Sequence, residues 1–159
     1  MVMVAVYPFG KMPPLPQPDR FAHAAGRHLT DAQTLVAQNR LDNAMYLAGY
    51  VVECSLKALV SHHLGRAAAQ QYGHDLAALQ GRALQQLRVL VPQAHLRLPT
   101  SGTLGTGLDH GHPVRRYWAS GLWTLQEVQV ALNRAADIYR GTVLSMVLNG
   151  ELSSQELNV

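Results

Sequence analysis

The chain has 159 residues and a mass of 17.4 kDa, the length of one ordinary domain, so its core requires no covalent or metal staples. Charged residues make up only 14% of it, against about 25% in a typical soluble domain, and of the 13 basic residues only Lys11 and Lys57 are lysines, so the net charge of +3 rests on arginine, a mildly basic balance that by itself proves nothing about nucleic acid, whose binders gather many basic residues on one face. The single cysteine, Cys54, excludes an internal disulfide framework and a cysteine-based zinc knuckle. A reducing setting is the simplest one for such a chain. No apolar run approaches the roughly 18 residues of a membrane span, and residues 1–6 lack the basic flank and cleavage pattern of a signal peptide. The expectation is a soluble, cytoplasmic protein with no membrane partner.

Residues 1–18 read as an extended arm, because Pro8, Pro13, Pro14, Pro16 and Pro18 remove backbone donors and forbid helix. Asp19 is placed to cap a first helix over 19–38, where Phe21, Ala25, Leu29, Ala32 and Val36 recur at steps of three and four. Asp42 is placed to cap a second, over 42–64, which Gly65 stops. The connection is so short that these two helices should pack antiparallel. The second is apolar almost all round: Met45, Ala48, Val52, Leu56 and Leu59 fall on one side, with Leu47, Val51, Cys54 and Ala58 nearly opposite. Its one polar stripe is Tyr46, Tyr50, Glu53 and Lys57, within about 60° of one another on the helical wheel. Such a helix is either central in a bundle or sandwiched by a second subunit.

A third helix begins at His74-Asp75-Leu76, with Asp75 as its cap and Leu76, Leu79, Ala83, Leu87 and Leu90 as its apolar face. Gly81 weakens its middle by about 1 kcal/mol relative to Ala, and Pro92 closes it. The stretch 97–113, with Gly102, Gly105, Gly107 and Gly111 between Pro99 and Pro113, is a long loop. In the last helix Thr124 and Glu127 form a capping box, Leu125, Val128, Leu132, Ala135, Tyr139, Val143 and Met146 follow at helical spacing, and Asn149-Gly150 ends it. No segment alternates like a strand. The expected class is all-α, an up-and-down four-helix bundle over 19–149, with the arm before it, the Gly-rich loop ahead of the last helix and a tail over 150–159.

The second-helix string from Ala44 to Leu59, followed by Gly73-His74-Asp75-Leu76 with Leu79 and later by Arg116-Tyr117, resembles prokaryotic HEPN-domain proteins over about residues 19–148. The resemblance implies a helical bundle that dimerises and stands beside a minimal nucleotidyltransferase as half of a toxin–antitoxin pair, with a nucleotide or RNA as ligand. Many such proteins are metal-independent RNases whose Arg-x(4–6)-His motif lies at or before the last helix. Neither Arg115 nor Arg116 has a histidine at that spacing here, and the formal match of Arg88 with His95 is no more than chance predicts. The expectation is therefore a homodimeric binding or regulatory module, with an RNase built from Arg116, His74 or the loop histidines as the enzymatic alternative and a structural bundle with a degenerate site as the third.

Glu53 and Lys57, at i and i+4, are either a solvated ion pair or, with Tyr46 and Tyr50, a polar notch in which Lys57 meets a phosphate or a base. His74 could meet phosphate or pass protons, or it simply joins Asp75 and Leu76 in starting a helix. Arg115, Arg116 and Tyr117, with Trp118, could clamp a phosphate and stack a base. Alternatively the aromatics plug the bundle while Arg116 pairs with Glu53 or Asp75. Arg134, Asp137 and Arg140 suit a surface ion-pair ladder. His62-His63 and His110-x-His112 offer ligating atoms but no third ligand at a defined spacing, so no metal or cofactor is expected. Cys54 should be buried and inert. With so few charges, much of the uncharged surface is expected to be hidden against a second copy.

Overall fold

The computed structural model describes residues 19–93, 103 and 106–157, and every regular element among them is helical. The Pro-rich arm, His95, Gly102 and Gly105 lie outside the described residues. Helix α1 is Phe21–Ala37 and α2 is Leu41–Leu64. Between them Asn39 takes a left-handed backbone (φ 57°), and the Arg40 amide donates to the Leu35 carbonyl at 2.8 Å, so three residues reverse the chain. The two helices run antiparallel, since Lys57 Nζ lies 5.6 Å above the Phe21 ring and the Tyr50 ring 5.6 Å from His28.

The two expected aspartate caps are corrected. Neither α1 nor α2 has a side-chain cap. Asp19 instead accepts from Gln70 Nε2, and Asp42, inside the first turn of α2, accepts from the backbone amides of Gly121 (2.8 Å) and Leu122 (3.1 Å). That second contact ties the start of α2 to the approach of the last helix. A carboxylate can reach a distant amide as readily as a local one, and sequence position does not distinguish the two. The cap at Asp75 and the capping box of Thr124 and Glu127 form as expected.

Gly65, at φ 91°, ends α2, and a short α3, Arg66–Gln70, follows that the periodicity did not announce. The next rod, α4 (76–90), joins Leu76–Ala78, a π-helical turn Leu79–Ala83 and Leu84–Leu90. The last, α5 (125–148), joins Leu125–Tyr139, a second π turn Arg140–Leu144 and Ser145–Leu148. Each π turn contains a glycine, Gly81 or Gly141, where an α-helix is weakest. The extra residue shifts the register. Leu84 is therefore buried, while Leu90, expected inside, is 59% exposed.

Helices α1, α3, α4 and α5 all pack on α2, and every residue from Val51 to Val60 is buried. Full burial of each Val or Leu in that run stabilises the fold by about 1.5–3 kcal/mol relative to exposure. The apolar surface of α2 is thus covered largely within one chain, which removes composition as a reason to invoke a second copy. Its length and hydropathy would allow it to cross a membrane, yet 78% of the relevant window is buried inside the protein. Helices α2 and α5 run in the same direction, their starts linked through Asp42 and their ends by His62 and Glu151.

Candidate functional site

Glu53 is 2% exposed in the middle of α2. An uncompensated buried carboxylate costs several kcal/mol, and the chain answers with donors from three elements. Lys57 Nζ, one turn on, lies 2.9 Å from Oε1. His74 Nδ1, at the start of α4, sits 3.0 and 3.1 Å from the two oxygens. His112 Nε2, in the loop before α5, reaches Oε2 at 2.8 Å. Burial pushes the Glu53 carboxyl up, but the hydrogen bonds from His112 and Lys57, with the charges of Lys57 and His74, outweigh it and hold the group below the usual carboxylate range. The carboxylate can only accept, so the hydrogen lies on Nδ1 of His74 and on Nε2 of His112.

The loop is fastened to α2 by Arg115. Its guanidinium donates to the carbonyls of Met45 (2.7 Å), His110 (3.1 Å) and Gly107, and burial lowers its pKa to about 10. Gly49 makes the approach possible. A Cβ there would stand 2.6 Å from both the Arg115 guanidinium and His112 Nδ1, closer than any real contact. That Nδ1 is buried and has no hydrogen-bond partner among the described residues.

Tyr50 is the aromatic centre of the site. The rings of His112, Tyr46, His28 and His74 lie 4.7, 5.1, 5.6 and 5.7 Å from it, and its hydroxyl oxygen accepts from Arg116 Nη1 and from the Tyr46 hydroxyl, each at 3.5 Å. Burial, the Tyr46 hydroxyl and the Glu53 charge all hold its phenol in the protonated form. Arg116 is exposed and stacks on Tyr117, 4.8 Å from the ring centroid. Contact with the tyrosine hydroxyls keeps its guanidinium charged. A permanently charged fork, a half-exposed imidazole held by a buried carboxylate and exposed aromatic faces therefore share one side of the molecule. This set can bind a phosphate, stack a base and move a proton at His74 Nε2.

Of the residues singled out from the sequence, Tyr46, Tyr50, Glu53, Lys57, His74 and Arg116 come together, and the Glu53–Lys57 pair is buried rather than solvated. Tyr117 lies beneath Arg116 and is 75% exposed. Asp75 is occupied as a cap, accepting from the Ala78 amide at 2.8 Å, and Arg115 turns inward as a structural clamp rather than toward a ligand. His110 packs by the indoles of Trp118 and Trp123, so the two histidines of His110-x-His112 separate. From the sequence His28 is not singled out, and His112 is named only among the loop histidines, not as a partner of Glu53. His28 had a signal, lying two turns after Phe21 on the same face of α1. The tie of His112 to Glu53 had none, because it depends on how a glycine-rich loop folds back.

No protein-family model matches the chain, and no curated protein or solved structure matches it.

Proposed function

We propose that this chain is a HEPN-like module of four main helices in up-and-down order, acting as a homodimer, that holds a nucleotide or an RNA segment at the face formed by Tyr50, His74 and Arg116. In this reading it is the regulatory half of a toxin–antitoxin-like pair with a nucleotidyltransferase partner. The observation that carries the ligand class is the placement of Arg116 against the hydroxyl of Tyr50, whose ring His74 flanks. A fixed cation beside stackable rings is what a phosphate joined to a base requires. The resemblance of the second-helix and His-Asp-Leu strings supports the dimer and the partner. Val114, Tyr117 and Trp118, all exposed beside Arg116, supply apolar surface for either. Fluorescence anisotropy with labelled single-stranded RNA and with ATP tests the site. Binding that weakens tenfold or more in both Arg116→Ala and His74→Ala supports it, and no binding, or binding indifferent to both changes, overturns it. Light scattering and co-purification with the product of a neighbouring gene test the assembly.

A second reading, a metal-independent RNase, is favoured by one detail. The bond from His74 Nδ1 to a buried carboxylate leaves Nε2 of a half-exposed ring as the proton-handling atom, the arrangement a general base needs. Cleavage of RNA in the presence of chelator, lost in His74→Ala, would establish it. Intact RNA after prolonged incubation would exclude it.

A further inference from the structure

At the far end of α2 from the Arg115 clamp, His62 and His63 meet Glu151, which lies just beyond α5. The candidate ligand atoms of the three side chains all lie within 4.8 Å of one another, and His62 Nε2 stands 3.4 Å from Glu151 Oε2. We propose that this triad is a binding site for a borderline divalent transition metal, with Zn²⁺ as its type ion.

Four observations support the assignment. Two ligands at about 2.0–2.1 Å from one zinc ion, at a tetrahedral angle, are about 3.3–3.4 Å apart, which is the spacing of His62 Nε2 and Glu151 Oε2. Two imidazoles and one carboxylate suit zinc and its neighbours, whereas calcium and magnesium prefer oxygen alone. The parallel course of α2 and α5 brings both carboxyl-terminal helix ends to this place, and their outward carbonyls favour a cation. The backbone that carries the carboxylate is also held in place. Gly150, at φ 74°, turns the chain after α5, and the Glu151 amide donates to the Met146 carbonyl at 2.8 Å.

Adjacent histidines on a helix diverge, and the His62 and His63 rings stand nearly perpendicular with centroids 4.8 Å apart. In the loaded site the His63 ring, in the last turn of α2, would turn to bring a nitrogen to the shared ion. Three protein ligands leave a fourth position. His62 also borders a cleft of about 400 Å³ in whose lining Arg20 and Arg66 are balanced by Asp19 and Glu156, so the open position suits water.

The site stands apart from the Glu53 cluster, and its test is independent of RNA binding. Isothermal titration of the untagged full-length chain with Zn²⁺ should give one equivalent per chain at micromolar affinity or tighter. Co²⁺ should give the strong visible absorption of a tetrahedral centre. Glu151→Gln and His62→Ala, both at partly exposed side chains, should each weaken Zn²⁺ binding tenfold or more with an unchanged circular dichroism spectrum. Absence of stoichiometric binding, or binding of full strength in both variants, overturns the assignment.

Discussion

His112 and Glu53, on a loop and on the central helix, are joined by a 2.8 Å hydrogen bond in which both side chains are shut off from solvent. The bond belongs to a network whose only acceptor among the described residues is one buried carboxylate, with donors from Lys57, His74 and His112. Such a network resists loss of its hub far more than its gross attraction suggests, because the remaining charge stays buried.

Glu53→Gln should therefore cost about 3–5 kcal/mol of stability, read as a fall in the urea midpoint. The companion change Lys57→Met removes the stranded cation. Glu53→Gln/Lys57→Met should be more stable than Glu53→Gln alone, and a double-mutant cycle should give a coupling above about 1 kcal/mol. Additive losses would mean that the pair does not interact in solution.

The three donors are not equivalent. The side chain of His112 has no exposure and that of His74 has 52%. His112→Ala should cost about 2–3 kcal/mol, since it leaves Oε2 of a buried carboxylate short of a donor. His74→Ala should cost about 1 kcal/mol or less, water taking its place. If His74 serves the ligand, His74→Ala removes binding at nearly full stability, whereas His112→Ala loses stability and binding together. Thermal melts run beside the anisotropy titrations separate the two effects.

Two glycines give opposite expectations for the same substitution. A methyl group at Gly49 would meet His112 and Arg115 at 2.6 Å, so Gly49→Ala should destabilise by about 1–3 kcal/mol through overpacking and release the loop from α2. A methyl group at Gly81 meets nothing within 4 Å, and φ there is not positive. Gly81→Ala should stabilise by about 0.5–1 kcal/mol as α4 gains helix propensity. Denaturant melts of the two variants decide both.

That contrast bears on what the sequence can disclose. Gly81 is recognisable as a weak point of a helix from its neighbours alone, although its π turn is not. Gly49 looks like a blemish in an apolar helix until the loop from far down the chain is seen lying on it. The helical class, the polar stripe of α2, the Asp75 cap and the capping box of α5 are all set by local periodicity and local hydrogen bonds, and they were legible. Asp42, Arg115 and His112 each bind partners remote in the chain. Their roles depend on tertiary packing that no local pattern encodes. The low charge shows the same limit: it does mark extensive hidden surface, but α2 is covered largely by helices of its own chain.

The pH dependence of stability follows from two groups whose proton affinities are both lowered in the fold. His28 lies below its ordinary value of 6.5, chiefly because it is buried and secondarily because Arg27 is close. Glu53 lies below 4.5 because its donors outweigh its burial. A group that binds its proton less readily when folded favours unfolding as protons are added. The His28 contribution is complete above pH 6.5 and is lost as the pH falls through its folded value. The Glu53 contribution is complete above about 4.5 and is lost below that. Urea midpoints should thus decline in two stages from neutral to acidic pH. His28→Gln should remove the first stage, so that its stability relative to the parent rises as the pH falls from 7 toward 5. Glu53→Gln should flatten the second stage. A parent midpoint that is constant from pH 7 to 5 would contradict the His28 assignment, and one that falls no further below pH 4.5 would contradict that of Glu53.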